Sequence, residues 1–200
     1  MLNDSAKLAT LVGSRLCHDL VSRVGAISNG LELIALSGAP GSDEIDLIEQ
    51  SCTSAAARIN FFRVAFGYAS PQQMVGAREA RKLLTRLSEG TRLSADWQPD
   101  EDIPRPQVQL AFLAYLCCES ALPQGGRVQI ERTGQGWRIT GSGPRITLEP
   151  AIWEQFNSES VVPDLPPARV QFACLANLAP AQGLTVSVAA GEAAVTIMLI

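Results

Sequence analysis

Apolar residues recur at spacings of three and four along the N-terminal third of the chain, and this periodicity constrains the fold more than any other feature. Val12, Leu16, Leu20, Val24, Ile27, Leu31 and Ile34 form the first series, the pattern of an amphipathic α-helix. Ser37-Gly38-Ala39-Pro40-Gly41-Ser42 ends it and turns the chain. Ser42 or Asp43 is then placed to cap a second helix, which carries Ile45, Ile48, Cys52, Ala55, Ile59, Phe62 and Phe66 before Gly67 and Pro71 close it. The two helices make a hairpin with coiled-coil-like seams. Such a hairpin cannot enclose its own apolar face. Leu8, Leu11, Val21, Leu33, Leu36, Leu47 and Phe61 also lie off the main stripe, so each helix has more than one side to bury. The expectation is a homodimer whose paired hairpins form a four-helix bundle; the alternative is a monomer with the hairpin docked on the rest of the chain.

Residues 1–70 therefore read as a helical hairpin, and residues 77–200 as a second unit of mixed pattern. In the second unit, residues 78–88 read as a helix, 92–97 as a short strand, and 106–122 as an apolar helix stopped at Pro123-Gln124-Gly125-Gly126. Strands follow at 127–133 and 137–140, a short helix near 150–156, a helix at 168–178, and closing strands at 184–189 and 193–200. Loops are expected around 141–145 and 158–167. Helices set against a mostly antiparallel sheet give an α+β two-layer sandwich.

Composition narrows the function. The chain has 200 residues, 46% of them hydrophobic and 18% charged, enough for a sizeable core. The net charge of −4, with Arg and Lys scattered, disfavours nucleic acid as the main partner. Met1-Leu2-Asn3-Asp4-Ser5-Ala6-Lys7 is not followed by the apolar core of a signal peptide, and no run approaches a membrane span. Cys17, Cys52, Cys117, Cys118 and Cys174 are odd in number and lack C-x-x-C spacing. They read as reduced thiols of a cytoplasmic protein. With a single histidine, no multi-histidine metal site is expected.

That histidine, His18, stands in Arg15-Leu16-Cys17-His18-Asp19-Leu20-Val21-Ser22. At about 100° per residue it lies about 200° around the helix from Leu16 and from Leu20, so it points away from the seam, toward solvent or a partner protein. A lone imidazole can carry a phosphoryl group, because positioning and charge stabilisation supply most of the catalysis in phosphoryl transfer. Asp19 is placed to orient the ring. Ser14 and Ser22 lie one turn either side, and Arg15 shares the face. Their hydroxyl and guanidinium donors suit phosphoryl oxygens.

His18-Asp19-Leu20 on a long helix, followed by a hairpin and an α+β unit, resembles a two-component sensor histidine kinase core. Leu116-Cys117-Cys118-Glu119-Ser120-Ala121-Leu122-Pro123-Gln124-Gly125-Gly126 is similar to the kinase N-box and its following turn. Ile139-Thr140-Gly141-Ser142-Gly143-Pro144-Arg145-Ile146 resembles the first glycine box, and Ala181-Gln182-Gly183-Leu184-Thr185-Val186 the kinase finish. The nucleotide-binding groups are missing from these boxes. The Mg²⁺- and phosphate-holding asparagines map to Leu116 and Ser120, the adenine-reading aspartate to Gly141, and a box glycine to Arg145. Pro163-Asp164-Leu165-Pro166-Pro167 stands where a glycine-rich lid is usual. Magnesium demands oxygen ligands, which leucine lacks.

Taken end to end, the chain is similar to the ChpT-type histidine phosphotransferase family. The resemblance implies a degenerate, kinase-like ATPase domain that binds no cofactor, ATP included. It also implies a homodimer presenting His18 as a phosphorelay carrier. Phosphate would come from a hybrid histidine kinase through its receiver domain and pass to response-regulator receiver domains, with Mg²⁺ on the receiver. No nucleic acid or membrane partner is implied. The alternative is a non-catalytic kinase-like dimer that binds a receiver or kinase without carrying phosphate. Kinases usually have proline where this chain has Arg23. A straighter helix is expected, with Arg23 free to meet an acidic receiver surface.

Overall fold

The computed structural model describes residues 4–37, 41–134, 136–156 and 165–200. The two periodic stretches form α1 (Asp4–Ser37) and α2 (Ser42–Ala65), packed along their length. The cap falls one residue earlier than the expected Ser42 or Asp43. Gly41 occupies the extended cap position without a side-chain cap, while Asp43 and Glu44 fall in the first turn, where their charge complements the helix dipole. Residues 38–40 of the expected turn lie outside the described residues.

After α2 come β1 (Met74–Val75), α3 (Ala77–Ser88), β2 (Leu93–Trp97), β3 (Ile103–Pro104) and α4 (Arg105–Ser120). Then follow β4 (Gly126–Thr133), β5 (Gly136–Ser142), a single-turn α5 (Pro150–Trp153), α6 (Val170–Ala181), β6 (Val186–Ala190) and β7 (Ala194–Leu199). Five strands make one sheet in the order β2-β4-β5-β7-β6. Only β2–β4 is parallel; the other pairings are antiparallel, with Ile130 opposite Ile139 and Ile139 opposite Ile197. The chain is thus α+β. The pair β1–β3 forms a separate two-residue ribbon that the sequence pattern did not reveal; elements that short carry no periodicity, and one of the four residues is Pro104.

A buried core links hairpin and sheet. Helix α4 has apolar residues on every side, and Leu110, Phe112, Leu113 and Leu116 are almost fully buried, as expected of a helix covered all round. Phe61 of α2 stacks on Phe112, with ring centroids 4.6 Å apart, and meets Tyr115 edge-on at 5.8 Å. Leu8, Leu11, Val12 and Leu16 of α1 pack against the same cluster. The base of the hairpin is therefore seated on the α/β part. Its far half is bare: Val24 and Leu31 are each 55% exposed, and Leu36 is 85% exposed.

The glycines of the degenerate boxes are packing residues here. A Cβ at Gly141 would stand 3.1 Å from Cys118 Cβ and 3.3 Å from Leu122 Cδ1. One at Gly143 would lie 2.8 Å from Leu122 Cδ2 and 2.5 Å from the Gly125 carbonyl oxygen. The end of α4 thus closes tightly over the β5 end. Within the described residues no helix is long and apolar enough to cross a membrane.

Candidate functional site

His18 lies midway along α1, and its side chain is 84% exposed. The ring points away from the α1–α2 seam, as the 100° rotation per residue requires. Its neighbour Asp19 turns the other way and is only 13% exposed. The two still meet: His18 Nδ1 is 3.3 Å from Asp19 Oδ1. A carboxylate in its ionised form only accepts hydrogen bonds, so Nδ1 is the nitrogen placed to donate, an arrangement that would leave the lone pair of a neutral ring on Nε2.

Asp19 is gripped at its other oxygen. Arg15 Nε donates to Oδ2 at 2.9 Å from one turn earlier on α1, and Arg58 Nη1 donates to the same atom at 3.2 Å from α2. Arg15 also donates through Nη1 to the Ala168 carbonyl, in the 3-10 turn Pro167–Arg169 that leads into α6. Arg58 lies over the Phe62 ring, 5.5 Å from its centroid, an arrangement that favours a partly desolvated cation.

Arg23 is tied within the hairpin rather than left free. Its Nε donates to Ser54 Oγ at 2.8 Å, and its Nη1 donates to the Asp19 carbonyl at 2.7 Å. A long cationic chain on a helix packed against another lowers its desolvation cost by such bonds. Burial, and then the nearby Arg58 cation, lowers the Arg23 pKa from its ordinary value. The missing proline does leave α1 as one helix.

These groups border an open cleft of about 300 Å³ between α1, the end of α4 and the start of α6. Arg15, His18, Asp19, Ser22, Arg23 and Arg58 line the hairpin side; Leu116, Glu119, Ser120 and Arg169 are among those opposite. Burial raises the Glu119 carboxyl above its ordinary value, while Arg58 and Arg15 pull it back. Of the sequence candidates, His18, Asp19, Arg15 and Ser22 come together. Ser14 is exposed one turn before His18 and is not part of the cleft lining. Leu116 brings no oxygen ligand, and the Ser120 hydroxyl is spent on the Cys117 carbonyl at 2.7 Å.

Sequence reasoning missed Arg58 and Glu119. Arg58 reaches Asp19 from α2, and Glu119 faces the same cleft from α4, relations invisible in one-dimensional spacing. The available signal was a lone cation following the small-residue run Ser54-Ala55-Ala56-Ala57, where α2 comes close to α1. No group of three or more His, Cys, Asp or Glu suited to a metal ion occurs among the described residues. The lid segment noted in the sequence lies outside them up to residue 164.

Residues 77–194 match the model of the histidine phosphotransferase C-terminal domain. The chain is 33% identical over 153 residues to the protein phosphotransferase ChpT of Brucella abortus (strain 2308), an alignment covering 74% of this chain and 73% of that protein. A solved bacterial phosphotransferase structure superposes with a TM-score of 0.83 at 26% identity, covering all of this chain and 98% of the other. The chain belongs to the histidine phosphotransferase family. It is a phosphotransfer protein of a two-component phosphorelay.

Proposed function

We propose that His18 is the residue that carries the phosphoryl group, taking it from a receiver-domain aspartate and giving it to another. The observation that carries this reading is the outward imidazole whose inner nitrogen faces the buried Asp19 carboxylate. The Nε2 lone pair attacks phosphorus in line, the N–P bond forms, and the P–O bond to the receiver aspartate breaks. The aspartate leaves with the electron pair. The ring becomes a cationic phosphoimidazole, and the adjacent Asp19 carboxylate balances that charge. Arg15 holds Asp19, and Ser22 is within the same cleft to donate to a phosphoryl oxygen; Ser14 is a lesser candidate on the open face. The receiver supplies Mg²⁺.

Partners in this reading are the receiver of a hybrid histidine kinase upstream and response-regulator receivers downstream. The protein works as a homodimer. The bare apolar positions Val24, Leu31 and Ile59 support a four-helix bundle, as does an apolar hollow of about 290 Å³ lined by Leu16, Leu20, Ile59, Phe62 and Phe66. No nucleotide takes part. The close approach of Leu122 to Gly141 and Gly143 supports this, since purine recognition there would need both room and a carboxylate.

The test is phosphotransfer from a phosphorylated receiver to wild type and to His18→Ala, with calorimetry against ATP and Mg²⁺ alongside. Wild type is expected to take up label, and His18→Ala none, with no heat from ATP. Label on His18→Ala would refute the assignment. Receiver binding without any phosphohistidine would favour the binding-module alternative.

A further inference from the structure

We propose that Arg58 is a positioning residue for phosphotransfer, acting through Asp19 to keep the reactive lone pair on His18 Nε2. The inference rests on His18 being the carrier. Arg58 is on α2 and acts at the far oxygen of the carboxylate.

A carboxylate can turn about its Cβ–Cγ bond and offer either oxygen to the ring, or neither. Here Oδ2 accepts from two guanidinium groups at once, Arg15 Nε at 2.9 Å and Arg58 Nη1 at 3.2 Å, and Oδ1 is left for His18 Nδ1 at 3.3 Å. Hydrogen bonds between ionised groups are stronger than neutral ones. Turning Asp19 away from the ring requires breaking both. Arg15 alone is a weaker guide: it sits on the same helix, and its other end is engaged by the Ala168 carbonyl. Arg58 approaches from the second helix, so the grip has a fixed point outside α1.

Arg58 is itself held. Its side chain is 12% exposed, and its guanidinium lies over Phe62, which is buried in the core. A buried ring beneath a planar cation limits the rotamers open to it. The order of control therefore runs from the core through Phe62 to Arg58, then to Asp19, and last to the imidazole. This is the arrangement by which groups behind a reactive ligand fix its tautomer and direction.

The chain's only histidine makes the inference readable without phosphate. In ¹⁵N-labelled protein, the imidazole nitrogens seen by long-range proton–nitrogen correlation belong to His18 alone. Wild type is expected to hold its neutral ring mainly as the Nδ1–H form. Arg58→Met should move the population toward Nε2–H. It should lower the transfer rate at saturating phosphorylated receiver by roughly 10–100-fold, the usual range for such supporting groups, with little change in the receiver KM. Arg58→Lys, which keeps a cationic donor, should recover part of both.

An unchanged tautomer ratio and saturating rate in folded Arg58→Met would overturn the proposal. So would a wild-type ring that is mainly Nε2–H, which decides the matter even if Arg58→Met does not fold. If no receiver labels His18, the carrier assignment fails, while the tautomer arm still decides whether Arg58 governs Asp19.

Discussion

Replacing Asp19 by asparagine should do more harm to transfer than deleting the side chain. Two guanidinium donors fill the Oδ2 position, at 2.9 Å from Arg15 and 3.2 Å from Arg58. An asparagine in this place must put its carbonyl oxygen there, which turns its NH₂ toward His18 Nδ1. That group donates, so Nδ1 must accept, and the proton of the neutral ring moves to Nε2. The outward nitrogen then has no lone pair for phosphorus. A ring locked in the wrong tautomer loses roughly 10²–10⁴-fold in rate. Asp19→Ala leaves the ring free to interconvert, so its transfer should lie between wild type and Asp19→Asn.

Stability should rank the two variants the other way. Asparagine keeps an acceptor for both arginines and loses only the charge, a cost of about 2 kcal/mol, or roughly 4–8 °C in Tm for a chain this long. Alanine leaves two nearly buried guanidinium groups without that acceptor and should cost more. Rapid-quench measurement of phosphoryl uptake, with thermal unfolding of each protein, gives both rankings. Transfer by Asp19→Asn faster than by Asp19→Ala would refute the tautomer reasoning.

Three further outcomes are expected. If the proposed dimer forms through the bare far half of the hairpin, wild type should sediment as a dimer and Val24→Asp combined with Leu31→Asp as a monomer; a variant that still dimerises would remove this face from the interface. In the folded protein, maleimide should label the exposed Cys17 and Cys52 quickly and spare Cys117, Cys118 and Cys174, because burial pushes the Cys118 and Cys174 thiols up to about 12 and Cys117 well above its ordinary value. Burial also raises the Glu119 carboxyl, so between its ordinary and raised pKa the folded state binds more protons than the unfolded chain, and Glu119 makes stability fall as pH rises through that window. Glu119→Gln should flatten that slope in pH-dependent unfolding, and an unchanged slope would refute the role given to burial.

The long helices were legible because their apolar spacing repeats many times, and the outward direction of His18 followed from the same rotation. The strands around Ile130, Ile139 and Ile197 were legible in place, though their ends shifted by a residue or two. The register that sets Ile139 between the other two is a long-range choice that no local pattern records. Arg23 shows why a charge is hard to place from sequence. Its position on the helix was readable, but its direction depended on Ser54 standing opposite on α2. Arg58 was hidden for the same reason, since its meaning comes from a carboxylate on the other helix.

The bond from Arg15 to the Ala168 carbonyl makes the chemistry of one helix answerable to a turn in the distant half of the chain. A docking protein that displaced residues 167–169 would take away the carbonyl to which Arg15 donates. Substitutions in that turn could therefore retune how readily phosphate is accepted or released while leaving the histidine's own surface untouched, so distinct partners could be favoured or slowed from a distance.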